Sequence, residues 1–281
     1  MKIAYGTYAL PRTPWEQAIA NLAEIGYDGI ELCLGPNHLE ALPEKLGAER
    51  RTELRAVLSD HGLGVPAVMV LGSLYWPDEP RAAAMTELLA RAAQLARDLG
   101  CGPPPVLAAG IGGQSAAWDD TREAIAEGLA TLGELAARED FVLAIEAHCG
   151  EAVDRCQRAQ WLLEAVDRPR VRLHFDIVHF FLAGDAIAET VAALAPWTAH
   201  THIMDAQRLP DGGFEFRLLG DGELDAVTYL RAMDAAGWRD FMTLEVSGRI
   251  WSRPDYDPWA AAAHNYRNLQ AALAAAGVAR G

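Results

Sequence analysis

Cysteine is scarce in this chain. The four present (Cys33, Cys101, Cys149 and Cys156) form no CxxC pair and show no secreted disulfide spacing. That usage fits a reducing compartment, the cytoplasm. Long apolar runs are missing as well. No segment approaches the ~20 uninterrupted apolar residues of a membrane span, and the opening MKIAYGTYALPRTPW lacks the apolar stretch of a signal peptide. Basic charge is in the minority, with 24 Lys and Arg against 39 Asp and Glu and a formal net charge of −15. No basic run is visible, which argues against nucleic acid as the main partner, since phosphate binding draws on clustered Lys and Arg. Glycine (25) and proline (15) stay near ordinary usage and rule out collagen-like and low-complexity classes. A phosphate-cradling loop is also absent. The nearest stretch, Gly110-Ile111-Gly112-Gly113, lacks both the full dinucleotide fingerprint and a P-loop lysine, so it reads as a plain loop after a strand.

The chain does have a regular alternation. Short apolar runs at 2–8, 29–33, 64–70, 105–109, 141–146, 171–176, 199–204 and 241–246 read as strands, apolar enough for burial on both faces. Between them lie amphipathic segments rich in Ala and Leu. One is expected to start at Thr13 as N-cap, with Pro14 first and Glu16 third, and to end at Gly26 after Ala18, Ile19, Leu22 and Ile25. Another is expected to be capped by Asp225, to carry Val227, Leu230 and Met233, and to stop at Gly237. The longest irregular stretch is 205–223. Eight units of about 35 residues predict an α/β fold, a single (β/α)8 TIM barrel, over residues 1–281 as one domain.

In such a barrel the active site lies at the C-terminal strand ends. Here the last four strands carry ionisable groups at that level: Glu146, Asp176, His202 and Glu245, spaced by 30, 26 and 43 residues. Three carboxylates and one imidazole converging on a point repel one another unless a cation joins them. One divalent metal ion resolves the conflict. An oxygen-rich set with one nitrogen suits Mn²⁺, placed first, or Co²⁺, Mg²⁺ or Zn²⁺. His148 shares the face of Glu146 and is a candidate substrate contact. His174 and His200 lie deeper and read as core histidines. Glu31 is weighed as pocket-lining. Asp205 and Glu223 are weighed as outer support for His202, and Trp76 and Trp118 as walls of the site.

The segments AIEAHCGE (144–151), HFDIVHF (174–180), HTHIMDAQR (200–208), LLGDGELD (218–225) and TLEV (243–246) resemble the xylose-isomerase-like TIM-barrel superfamily. The similarity is to its sugar phosphate isomerase/epimerase group, with inosose isomerases and ketose 3-epimerases, and it covers nearly the whole chain. The resemblance implies Glu146, Asp176, His202 and Glu245 as metal ligands and His179 and Arg208 as substrate contacts. The epimerases place a further substrate-contacting Glu six residues after the first metal Glu, where this chain has Ala152 beside Glu151. That departure leaves a ketose 3-epimerase assignment open.

The expected activity is metal-dependent isomerisation or epimerisation of a sugar, keto-sugar or cyclitol through a metal-stabilised enediolate, with Glu146 and Glu245 as acid–base pair. A dehydratase or lyase acting on an inosose or 3-keto sugar is the alternative on the same site. An endonuclease IV-like DNA-repair enzyme ranks lower because of the acidic charge. A small-molecule substrate is the expected partner, without nucleic acid or membrane, and a homo-oligomer is compatible with similar barrels.

Overall fold

All eight expected strands form, and they close on one another. The computed structural model describes residues 1–39 and 42–281. The barrel strands are β1 (Lys2–Gly6), β2 (Gly29–Leu34), β3 (Val68–Ser73), β4 (Val106–Gly110), β5 (Val142–Glu146), β6 (Val171–Asp176) and β7 (Thr198–Ile203). A hairpin of β8 (Asp205–Arg208) and β9 (Phe214–Arg217) precedes the last barrel strand, β10 (Phe241–Leu244). The order around the closed barrel is β1-β10-β7-β6-β5-β4-β3-β2, with every pair parallel. This is a single (β/α)8 barrel. The surrounding helices are α1 (Trp15–Ile25), α2 (Ala48–Asp60), α3 (Glu79–Asp98), α4 (Trp118–Arg138), α5 (Cys156–Val166), α6 (Ile177–Ala183), α7 (Ile187–Leu194), α8 (Ala226–Ala235), α9 (Gly248–Trp251) and α10 (Pro258–Ala276).

Both faces of the strands are buried as expected, but only the outer face is generally apolar. Outward residues such as Ile3, Ile30, Leu107, Leu143, Leu173 and Leu244 join the helices in one continuous apolar cluster. The lumen is built differently, in levels. Ala67, Ala108 and Ala144 form a small apolar floor. Fully buried Glu31, His174, His200 and His202 also belong to the lumen. Side chains recur on the same face every second residue. Glu146 therefore follows Ala144 and Asp176 follows His174 towards the C-terminal rim. Register completes the arrangement, pairing Gly110 with Glu146, Asp176 with His202 and His202 with Thr243.

Several local expectations hold. Gly26 ends α1 in a left-handed conformation (φ 109°), with its N–H donating to Leu22 and Ala23 carbonyls. Asp225 caps α8 by accepting from the Thr228 N–H. Three expectations need correction. Thr13 does not cap α1: Pro14 is extended (ψ 144°) and stands before the helix, and no side chain caps it. Segment 205–223 is not wholly irregular, because β8 and β9 pair antiparallel, Asp205 opposite Arg217 through Arg208 opposite Phe214. Trp118 begins α4 and packs its ring on Trp161 at 5.3 Å, so it belongs to the outer layer instead of walling the site.

Asp205 holds this hairpin and the turn after it. It is buried, and its carboxylate accepts four backbone N–H groups: Ala206 and Leu224 on Oδ1 at 2.8 and 2.9 Å, and Gly220 and Gly222 on Oδ2, both at 3.0 Å. Glu223 accepts from the Arg208 N–H. Both acids thus organise the loop backbone, and neither is recorded in contact with His202. Replacing Asp205 by Ala strands four donors in a tight turn, where each lost charge-assisted bond is costly. The expected result is a loss of about 2–4 kcal/mol in urea unfolding, with the far-ultraviolet circular dichroism of the barrel retained.

Candidate active site

At the C-terminal rim of the barrel, four side chains from four neighbouring strands meet. Glu146 and Asp176 are the last residues of β5 and β6, His202 lies on β7, and Glu245 directly follows β10. One donor atom from each lies within 4.8 Å of the others, and all four residues are buried. The structure therefore brings together the four groups singled out as a ligand set. His202 Nδ1 stands 3.4 Å from Glu245 Oε2.

The electrostatics of the cluster are unresolved without a cation. Burial, then Glu245, push the Glu146 carboxyl up to about 7. Burial also lifts Asp176 to about 7, with Glu245 adding to the rise. Burial would raise Glu245 too, but the neighbouring His202 ring and its charge hold it below the ordinary carboxylate value. The His202 ring is opposed by burial, yet Glu31 on one side and Glu245 on the other bring its pKa well above the ordinary histidine value. Asp176 Oδ2 and His202 Nδ1 are buried with no hydrogen-bond partner. Three carboxylates, one imidazole and two orphaned donor atoms aimed at one another are the chemistry of a divalent-metal site, so the residues present fit such an ion.

His179, on the first turns of α6, reaches the same cluster. Its Nε2 is 3.5 Å from Asp176 Oδ2 and 3.8 Å from Glu146 Oε1. The His148 ring packs on it with centroids 4.0 Å apart, and Cys149 Sγ lies 3.2 Å from its Nδ1. Arg208 is placed differently from the expectation. Its guanidinium lies over the Phe181 ring and donates to the Phe181 carbonyl, with no recorded contact to the four-group cluster.

Three residues acquire roles beyond those expected. Glu31 is fully buried beneath the cluster, and His200 and His202 both bond to it. Burial favours its neutral form, but the two imidazoles draw its pKa down to about 2. Tyr8, just beyond β1, joins His38 and Trp251 in an aromatic wall. Burial, then Glu245, push its hydroxyl up to about 12, keeping it a neutral donor beside the acids. Glu151, next to the buried Ala152, accepts the Gly112 N–H at 2.7 Å, and its carboxylate lies 3.9 Å from where a Cβ on Gly110 would stand. Gly110 is the register partner of Glu146, so Glu151 reaches over the end of β4 beside the cluster.

Comparison with known proteins agrees with this architecture. Residues 19–272 match the family described as xylose isomerase-like TIM barrel. Fructoselysine 3-epimerase of Escherichia coli O157:H7 is 23% identical over 270 residues, covering 90% of this chain and 93% of the relative. Inosose dehydratase of Geobacillus thermodenitrificans (strain NG80-2) is 24% identical over 142 residues, 46% of each chain. The solved structure of the IOLI protein with a bound zinc atom superposes with a TM-score of 0.79 at 19% identity, covering 99% of this chain and 98% of that one.

The strained charge balance has a measurable consequence. An unfolded glutamate ionises in the ordinary range, whereas folded Glu146 holds its proton to about 7. Its ionisation therefore costs stability as pH rises from below 5 to above 7. In EDTA, Glu146→Gln should match the parent near pH 5 and exceed it by on the order of 2 kcal/mol at pH 8. Added Mn²⁺ or Zn²⁺ should raise the melting temperature of the parent much more than that of the variant. Thermal melts across pH, with and without metal, check both expectations.

Proposed function

This chain belongs to the xylose isomerase-like TIM barrel family, and from that premise we propose that it is a divalent-metal-dependent enzyme that isomerises or epimerises a sugar, keto-sugar or cyclitol. The cluster of Glu146, Asp176, His202 and Glu245 carries this reading. Those four residues would hold the ion, with manganese the first choice and cobalt, magnesium or zinc compatible with the same donors. Once held, a divalent ion supplies Lewis-acid polarisation of a substrate carbonyl, which acidifies the neighbouring C–H.

The protein's own groups account for the proton traffic. Glu146 and Glu245 are chemically alike but differ in environment, and such a split assigns acid and base. Glu245, held ionised by His202, takes the proton from the carbon beside the carbonyl. Glu146, at the same rim, returns one to the neighbouring carbon or to the opposite face. Return to the neighbouring carbon gives an isomer, and return to the opposite face gives an epimer. His179 and the His148 ring packed against it orient substrate oxygens and stabilise charge that develops on them. Arg208 can join them only by leaving the Phe181 carbonyl. Tyr8 and the ring of Phe216, which stands edge-on to His179 at 6.1 Å, keep water from the reacting carbons.

Similarity to an inosose dehydratase favours one second reading, in which the same proton removal is followed by loss of a β-hydroxyl. A single experiment separates the two. The metal-loaded protein is incubated with ketoses and an inosose in D₂O. Deuterium entering carbon without net dehydration supports isomerisation or epimerisation, and an unsaturated product supports the lyase. Glu146→Gln and Glu245→Gln should each slow the exchange by about 10²- to 10⁴-fold with circular dichroism unchanged. Full activity in either variant would remove that residue from the acid–base pair.

A further inference from the structure

The way His202 is held, and not merely its presence, bears on the metal centre. Glu31 Oε1 lies 2.8 Å from His200 Nε2, and its Oε2 lies 2.9 Å from His202 Nε2. An ionised carboxylate can only accept hydrogen bonds. Both Nε2 atoms therefore carry protons and donate to Glu31. For His202 this leaves Nδ1 as the remaining ring nitrogen, on the side of Glu245 and without a hydrogen-bond partner.

The surroundings hold that arrangement in place. The His174 ring meets His202 edge-on, with centroids 4.1 Å apart and planes at 89°. The His200 ring lies 5.2 Å from it at 70°. Space for the carboxylate comes from Gly6, where any Cβ would come within 3.0 Å of Glu31 Oε2. Glu31 thus spans the lumen from β2 to β7 and fixes the tautomer and the ring plane of His202 together.

We propose that Glu31 is the positioning residue of the metal centre, presenting the Nδ1 lone pair of His202 to a divalent cation. The inference rests on reading the four-group cluster as that centre. A carboxylate behind a ligating imidazole raises its basicity and fixes its orientation, and losing one typically weakens metal binding by about 10- to 100-fold. In Glu31→Gln the shape is kept. The amide, however, offers one acceptor oxygen in place of two and no negative charge, so it cannot accept the Nε2 protons of His200 and His202 together, and the His202 ring loses part of its fixed orientation and basicity.

Chelator-competition titration of Mn²⁺ and of Zn²⁺ into EDTA-stripped protein tests the proposal without reference to activity. The parent should bind one ion, and Glu31→Gln should bind it about 10- to 100-fold more weakly. His200→Gln keeps a donor facing Glu31 and disturbs the same buried layer, and it should bind like the parent. Parent-like affinity in Glu31→Gln overturns the proposal, as does an equal loss in His200→Gln, which would mean that packing of the layer is what matters. Should Glu31→Gln not fold, the parent labelled with ¹⁵N-histidine gives the answer. Zn²⁺ should move the Nδ1 resonance of His202 while the proton on Nε2 stays in place, and movement of Nε2 or of neither nitrogen overturns the proposal. A parent that binds no metal removes the metal-centre reading itself, and with it the role of Glu31.

Discussion

Three carboxylates confined to one end of a closed barrel set the terms for the rest of this structure. Glu146, Asp176 and Glu245 are each less than a tenth exposed, in a place where apolar residues would pack at lower cost. Removing charges from water is expensive, and like charges close together make it more so. The fold meets that cost locally. The two carboxyls pushed to about 7 relieve repulsion by retaining protons, and His202 supplies positive charge between Glu31 and Glu245. A cation at the same point would replace both devices. Such a cluster is therefore better understood as retained for chemistry than for stability.

The division of the barrel into levels makes the confinement tolerable. Stability comes from the outer face, where the apolar side chains of all eight barrel strands merge with the helices into one cluster. The lumen then holds small groups and polar ones, among which both ring nitrogens of His174 are buried without a hydrogen-bond partner. Its alanine floor packs without large side chains, and the Glu31–His200–His202 group pairs its charges internally. The Asp205 clamp has a parallel role at the surface. By collecting four backbone donors it ties the glycine-containing turn after β9 back to the start of β8. The β8–β9 hairpin can then carry Phe216 against His179.

Much of this was legible in the sequence because a TIM barrel repeats its unit. One strand per unit puts residues about 30 positions apart at the same level, and the spacings of Glu146, Asp176 and His202 follow from that. The third interval, from His202 to Glu245, is longer because the hairpin is inserted, and β8 and β9 hide behind Gly-Asp turn residues that read as loop. Glu31 was visible as a pocket-lining candidate on a strand, but not as the partner of two histidines. Its partners lie 169 and 171 positions away across the lumen, and no local pattern reports a contact through the middle of a barrel. Thr13 failed for a local reason, since Pro14 stays extended and stands just before the helix instead of in its first turn. Arg208 was placed by resemblance alone. Its guanidinium follows the Phe181 ring and carbonyl, a contact that only the path of α6 explains.

The asymmetry between Glu146 and Glu245 is the last consequence of this layout. Both are glutamates at the same rim, both are buried, and each lies close to the other. What separates them is one ring: His202 Nδ1 stands 3.4 Å from Glu245. Glu146 has His179 Nε2 at 3.8 Å, a ring whose pKa burial lowers, and the charges of His148 and His202 offset only part of its own burial. Because His202 is in turn tied to Glu31, the difference in proton affinity across the rim originates on β2, the far side of the barrel from β7. On the proposed reading, such a rim does not need two different residue types to supply an acid and a base. It needs one imidazole placed off-centre among like carboxylates and a rigid reason for it to stay there.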